Sequence, residues 1–273
     1  MKVLFVGDIT GHPGRAALAG YLAECRRRHL EHDFIIVNVE NAAGGFGLTK
    51  EISQKISGYG VDCQTSGNHI WDKKEIHSYF EAEPRLLRPA NYPVGAPGLG
   101  YNIYKAKNGE SVAVINLQGR IFMWNIDCPF RVADKIIAEV SRETKLIFVD
   151  FHAEATSEKQ AMGWYLDGRV TGVFGTHTHV QTADEKILPG GTAFITDVGM
   201  TGPYASVIGI QVNDALYRIL SGLPNKFNVA SEDIRLAAVD VEADPGTGKA
   251  HSIQRIMYCF QEDERAAEKQ KRF

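Results

Sequence analysis

The chain has 273 residues, 44% apolar and 23% charged, with 27 glycines and 10 prolines; this is the composition of a folded globular protein and excludes fibrous and disordered classes. At about 150 residues per domain, the length makes one large domain or two small ones, with enough buried apolar surface to stand without disulfide or metal staples. Thirty basic residues against thirty-three acidic ones leave a formal charge of −3, which excludes a general pull toward DNA, RNA or anionic membrane and leaves phosphate chemistry to a local site.

In chain order, the apolar run 3–6 predicts a buried strand that stops at Gly7 and Asp8. Residues 14–30 carry apolar side chains near helical spacing, with arginines at 26–28 toward the end. Strands over 34–39 and 61–66 run into Glu40-Asn41 and Gly67-Asn68-His69. Between them, Thr49 is placed to cap a helix over 50–57. The preceding Gly44-Gly45-Phe46-Gly47 loop reads as a turn or as a nest of N–H groups for a phosphate. Asp72 is placed to cap a helix running to Phe80. Residues 84–100 hold four prolines and three glycines and read as a loop leading into a strand at 101–104.

Strands at 112–117, 146–151 and 170–174 continue a βα alternation. The last two end at His152 and at Gly175-Thr176-His177-Thr178-His179. Strand-like runs at 193–196, 236–241 and 251–258 surround a helix near 213–220, so a mixed sheet is expected. One domain over 1–260 and a charged tail over 261–273 complete the layout. The N-terminal apolar run is too short for a signal peptide and no stretch reaches the ~20 residues a bilayer needs, so a cytoplasmic location without a membrane partner is expected. The cysteines Cys25, Cys63, Cys128 and Cys259 lack CxxC or finger spacing, and each is expected to be reduced and buried.

Five successive strands thus deliver metal-capable side chains at their carboxyl ends, the edge where open α/β sheets gather ligands. Two carboxylates, at least one amide oxygen and three or four imidazoles exceed the needs of one ion. They suit two divalent ions ~3.5–4 Å apart, the clamp used on phosphoryl centres, with Glu40 as the candidate bridge. Imidazole and oxygen donors without thiolate favour Mn, Fe or Zn over Mg or Ca. His177 and His179, one residue apart, face the same side of an extended segment.

Each residue also has an ordinary reading. Asp8 suits a helix cap, His152 a structural histidine, and Asn68-His69 a turn. Glu40 at a buried strand end is costly unless paired or coordinated. His12, beside Pro13, is assigned to the surface, and His29, His32, His77 and His251 have no ligand partners nearby. Serine and cysteine hydrolase readings lack a nucleophile elbow or a credible base. Trp71, Phe122, Trp124 and Tyr204 are of the kind that stack a base, but such residues more often fill cores.

The ordered series Gly7-Asp8, Gly67-Asn68-His69, His152 and Gly175 to His179 resembles the motifs of calcineurin-like metallophosphoesterases. Four longer stretches are similar to the bacterial YmdB-like phosphodiesterases: Gly7 to Gly11 with Pro13-Gly14-Arg15, Asn38 to Gly45, Gly67 to Asp72, and Thr196 to Pro203. Thr10 replaces the histidine of the broad superfamily's Asp-x-His motif and Glu40 its bridging aspartate; the narrower group shares both departures.

The resemblance implies an α/β fold, an αββα sandwich of two mixed sheets flanked by helices. It implies two divalent metal ions per chain, Fe or Mn, with Zn as a further candidate. Asp8, Glu40 and His179 would hold one ion, with Asn41 or a water in the place of the missing imidazole, and Glu40, Asn68, His152 and His177 the other. His69 would serve as acid or as stabiliser of phosphoryl charge beside a bridging hydroxide. The implied substrate is a small phosphodiester such as a 2′,3′- or 3′,5′-cyclic nucleotide, and a homo-oligomer is implied as well. Without a basic stripe, long nucleic acid is not an expected partner. The competing readings are a phosphomonoesterase, with Arg15, Arg120 or Lys73 on the dianion, and a metal-containing regulatory binding module with little turnover.

Overall fold

The computed structural model describes residues 1–261; apart from Gln261, the expected tail lies outside the described residues. The chain opens with β1 (Lys2–Val6), β2 (Asp8–Ile9), α1 (Gly11–Arg27), β3 (Phe34–Asn38), α2 (Lys50–Gly58), β4 (Cys63–Thr65), a 3-10 turn (Asn68–Asp72) and α3 (Ile76–Tyr79). Then come β5 (Tyr101–Lys105), β6 (Ser111–Gln118), α4 (Pro129–Val140), β7 (Leu146–His152), α5 (Thr156–Leu166), β8 (Gly172–Thr176), β9 (Lys186–Ile187) and β10 (Ala193–Ile195). β11 (Met200–Pro203), α6 (Val212–Ser221), β12 (Ile234–Ala243) and β13 (Ala250–Cys259) follow.

Strand alternation builds the layers. Val3 and Phe5 of β1 and Phe34 and Ile36 of β3 meet Val112, Val114, Leu146, Phe148 and Phe174 in a core between two sheets. The alternate residues Leu4, Val6, Ile35 and Val37 pack against Ala17, Leu18 and Leu22 of α1 and Ile56 of α2. On the far side, Ile115, Ile147, Val149 and Phe151 pack against Ala133 and Ile137 of α4 and Met162 of α5. The four layers are the expected αββα sandwich.

One sheet has the order β2-β11-β12-β1-β3-β4, with β13 also on β12, and the other β5-β6-β7-β8-β10-β9. β1, β3 and β4 run parallel, as do β6, β7, β8 and β10, whereas β12 is antiparallel to β1 and β13. Both sheets are therefore mixed, and the parallel strands bring their carboxyl ends to one edge.

At that edge the inter-sheet face turns polar. Asn38, Asn116, Asp150 and Thr176 are in phase with the apolar residues between the sheets, and all four are fully buried. Burying an apolar side chain there contributes about 1.5–3 kcal/mol, whereas a polar one costs unless its hydrogen bonds are met. They are met: Asp150 accepts from Asn38 Nδ2 at 2.9 Å and from Thr176 Oγ1 at 2.7 Å, and Asn116 exchanges two bonds with the Ser66 backbone.

Local signals hold at some ends and fail at others. Thr49 caps α2 by accepting from the Ile52 N–H. α1 starts at Gly11, with Pro13 in its first turn, where a missing N–H costs nothing. The helix expected from Asp72 to Phe80 is instead a 3-10 turn and the short α3, with Glu75 at the cap position. Cys25 and Cys63 are buried, but Cys128 is half-buried and Cys259 exposed; Cys259 ends β13, which among the described residues pairs only with β12. Among the described residues no helix is long and apolar enough to cross a membrane.

Candidate metal centre

The ends of β3, β7 and β8 and the turn after β4 enclose a cavity of about 290 Å³ lined by Glu40, Asn41, His69, His177 and His179. Against the lining residues Glu40 and His177 packs the fully buried His152. Asn68 Oδ1 lies 3.1 Å from His152 Nε2, His177 Nδ1 3.0 Å from the same nitrogen, and Glu40 Oε1 3.2 Å from it. Beside this cluster, Asn41 Nδ2 lies 3.0 Å from Glu40 Oε1 and 3.2 Å from His179 Nε2. Asp8 Oδ2 accepts the His177 N–H at 3.1 Å. All eight residues singled out by sequence therefore gather in one place.

The donor set fits divalent cations. Lone-pair atoms of Glu40, His152 and His177 lie within 4.8 Å of one another, and two buried oxygens, Asp8 Oδ1 and Asn41 Oδ1, have no hydrogen-bond partner among the described residues. Buried acceptors left this way cost free energy that a shared cation removes. Gly67 keeps the space open: a Cβ there would run into the His152 ring and the Glu40 carboxylate.

Packing so many ionisable groups together splits their titration. Burial opposes charge on Glu40, but His152, His69 and His177 outweigh it and hold the carboxyl well below its usual range. Burial likewise opposes charge on His152, yet Glu40, Asp8 and Asp150 push it up to about 9. Burial, and then His152, brings His177 down to about 3. Burial raises Asp8 and lifts Asp150 to about 7. Mutually dependent protonation of this kind marks functional sites.

Each of the three clustered imidazoles has its other nitrogen tied, which orients the free one. His152 Nδ1 lies 2.9 Å from Thr176 Oγ1, itself bonded to Asp150. His177 Nε2 lies 3.1 Å from Glu154 Oε2, and His179 Nδ1 2.9 Å from the Ile208 carbonyl. The segment carrying the last two is not extended as expected: His177 and His179 have φ of 101° and 65°. They converge through left-handed backbone rather than strand alternation. Ile208, β-branched and also left-handed at φ 46°, is an outlier whose carbonyl serves the site. Sequence reading missed Ile208, Glu154, Thr176 and Asp150; for the last two, strand phase with His152 and Phe174 was an available signal.

His69 stands apart from the donor cluster. Its N–H donates to Glu40 Oε2 at 3.0 Å, its Nδ1 lies 3.0 Å from Asp72 Oδ2, and its ring meets Phe46 edge-on at 5.0 Å. His12 is exposed as expected. His32 is buried, with Nε2 3.5 Å from Asp240 Oδ2, a partner far away in sequence. In the Gly44 to Gly47 loop, the N–H groups of Ala43 and Gly45 bond the carbonyls of Gly47 and Asn41, so the loop closes as a turn.

Fold and site together define a phosphoester hydrolase of the metallophosphoesterase type. The chain belongs to the YmdB-like protein family, whose profile matches residues 4–256. It is 51% identical over 257 residues to the 2′,3′-cyclic-nucleotide 2′-phosphodiesterase of Bacillus subtilis (strain 168), a match spanning 94% of this chain and 97% of that one. The solved structure of a hypothetical protein from Thermus thermophilus has a TM-score of 0.89 at 41% identity, covering 96% of this chain and 100% of that one. A novel phosphatase from Mycoplasma pneumoniae has a TM-score of 0.88 at 34% identity, covering 98% and 96%.

Proposed function

We propose that the chain is a phosphodiesterase holding two divalent ions, with Asp8, Glu40, Asn41 and His179 around one and Glu40, Asn68, His152 and His177 around the other. The observation that carries this reading is the approach of Glu40 Oε1, Asn68 Oδ1 and His177 Nδ1 to within 3.2 Å of His152 Nε2. Imidazole and oxygen donors without thiolate suit Fe, Mn or Zn. When bound, the ions supply positive charge to phosphoryl oxygens and make water more acidic.

The chain's own residues position and protonate. Glu40, hydrogen-bonded to the His69 N–H, couples the donor cluster to the one histidine outside it. Asp72 holds His69 Nδ1, leaving Nε2 to give a proton to the departing alkoxide or to stabilise phosphoryl charge. Among the described residues, no lysine or arginine lines this cavity, and Arg15, a candidate for a dianion, donates to the Ala42 carbonyl instead. That suits a singly charged diester better than a doubly charged monoester. The activity named for the Bacillus relative supports 2′,3′-cyclic nucleotides as substrates; the 3′,5′-cyclic isomers, which present the same singly charged diester, complete the substrate class proposed here.

The test is metal analysis of protein purified without added metal, with hydrolysis of bis(p-nitrophenyl) phosphate and p-nitrophenyl phosphate under Mn, Fe(II), Zn and Mg. About two ions per chain, preference for the diester and loss of both in Glu40→Ala support the reading. One ion or none without turnover overturns it, and preference for the monoester makes the protein a phosphomonoesterase.

A further inference from the structure

The loop between β6 and α4 presents two large apolar rings to solvent: Phe122 is 87% and Trp124 74% exposed. Its backbone is not loose. The N–H groups of Arg120 and Ile121 donate to the buried Glu158 carboxylate at 3.0 and 3.3 Å. The fully buried Asn91 bridges the Gln118 and Asp127 carbonyls at 2.7 and 3.0 Å. Phe122 itself is left-handed, with φ 63°, a conformation that disfavours a bulky residue. A loop anchored at both ends by buried polar groups, with a strained tip holding aromatic rings in water, is built for presentation rather than for filling a core.

What the tip faces is the metal centre. Phe122, Trp124 and Asn125 share a cavity of about 390 Å³ with Asn68 and His177. Aromatic faces stack planar rings, and the Asn125 amide offers one donor and one acceptor to a ring edge. No lysine or arginine among the described residues lines this space, so its chemistry suits a neutral heteroaromatic group rather than a second phosphate. The opposite flank of the centre is already committed, since Phe46 packs on His69 and the Ile208 carbonyl holds His179.

We propose that this loop is the nucleobase subsite, with Phe122 and Trp124 stacking the base of a nucleotide whose phosphate lies at the metal centre. The proposal rests on the cyclic-nucleotide reading above and adds where the base is held.

The test compares adenosine 2′,3′-cyclic phosphate with methyl riboside 2′,3′-cyclic phosphate, the same strained diester without a base, on the metal-loaded chain. Phe122→Ala and Trp124→Ala each raise KM for the nucleotide about tenfold, the scale of base–aromatic stacking, with kcat within about twofold. The base-free diester is unaffected, and Trp124→Phe retains nucleotide KM. Equal losses on both substrates, or no change on either, overturn the subsite. So does a loss accompanied by a change in sedimenting mass, which would make the loop an interface between copies. A readout free of turnover is quenching of tryptophan emission by adenosine 3′-monophosphate. Quenching that vanishes in Trp124→Phe and is absent with ribose 5-phosphate supports the subsite; quenching unchanged in that variant sinks it. If the wild type cleaves neither diester, the cyclic-nucleotide reading falls, and the quenching still decides whether the loop binds a base.

Discussion

Lys159 Nζ lies 2.6 Å from Asp197 Oδ2, and neither side chain is more than 1% exposed. The same carboxylate oxygen accepts from Thr178 N at 3.1 Å and Thr178 Oγ1 at 2.7 Å. Thr178 sits between His177 and His179, whose left-handed backbone costs about 1–2 kcal/mol per residue. The buried pair is thus the clamp that holds the two imidazoles that line the cavity in a strained segment. Lys159→Met strands a buried carboxylate and is expected to cost about 3–5 kcal/mol, seen as a lower Tm. Pairing it with Asp197→Leu restores much of the stability but not the Thr178 anchor. Metal retention after dialysis should therefore stay low in the double variant; wild-type retention there would remove the positioning role.

Gly67→Ala tests the space inside the centre. The added methyl meets the His152 ring and the Glu40 carboxylate, an overpacking expected to cost about 1–3 kcal/mol. Gly58→Ala is the control: at the exposed end of α2, a Cβ there has nothing within 4 Å, so the change is neutral or stabilising by up to ~1 kcal/mol. Metal content should fall in the first variant and stay constant in the second. Equal metal content in both would mean that Gly67 only shapes a turn.

Asp8, Glu40 and His152 stand out in sequence because each polar residue ends an apolar strand, and their place in the ordered series with Asn68 and His177 sets Asp8 apart from a helix cap and His152 from a structural histidine. The βα alternation showed in the same way, and strand parity then yields the core between the sheets and the two cores under the helices. The His177 to His179 geometry was not legible, since spacing predicts a shared side only in extended backbone. Lys159 and Asp197 are 38 positions apart, and a lysine on a helix reads as solvent-facing until tertiary packing pairs it. Asp72 looked like a cap because local hydrogen bonding competes for such residues; its carboxylate serves His69 instead. Cys259 alternates outward on an edge strand, which composition does not reveal.

Removal of metal should expose a pH signature. In the stripped protein the His152 pKa, about 9 when folded against an ordinary 6.5, contributes stability that is complete below 6.5 and lost as pH rises through 9. His177, held near 3, and Glu40, held low, run oppositely; their contributions are lost on acidification and level off once the unfolded groups have deprotonated. Asp150, raised to about 7, has lost most of its contribution by pH 7.5. Between about pH 7.5 and 9.5 the His152 loss acts in the same direction as that of Asp8, which burial also raises, and Tm in chelator should fall. His152→Gln should reduce that decline, and metal should flatten it by displacing the proton. A Tm that stays level in chelator across this range would contradict the charge balance described here.

His69 is the residue whose role the leaving group decides. It contacts Glu40 only through its N–H, and its ring is held by Asp72 and Phe46, so His69→Ala should leave metal content near wild type. Loss of a general acid lowers rates about 10²–10⁴-fold when the leaving oxygen needs a proton. p-Nitrophenolate departs without one, whereas the ribose oxygen of a cyclic nucleotide does not. Under the acid role, kcat for a 2′,3′-cyclic nucleotide falls by that factor while kcat for bis(p-nitrophenyl) phosphate falls far less. Equal losses on the two substrates would assign His69 to charge stabilisation on the phosphoryl oxygens, where both transition states need it alike. Loss of metal in the variant would instead show that the Glu40 hydrogen bond to the His69 backbone depends on the ring above it.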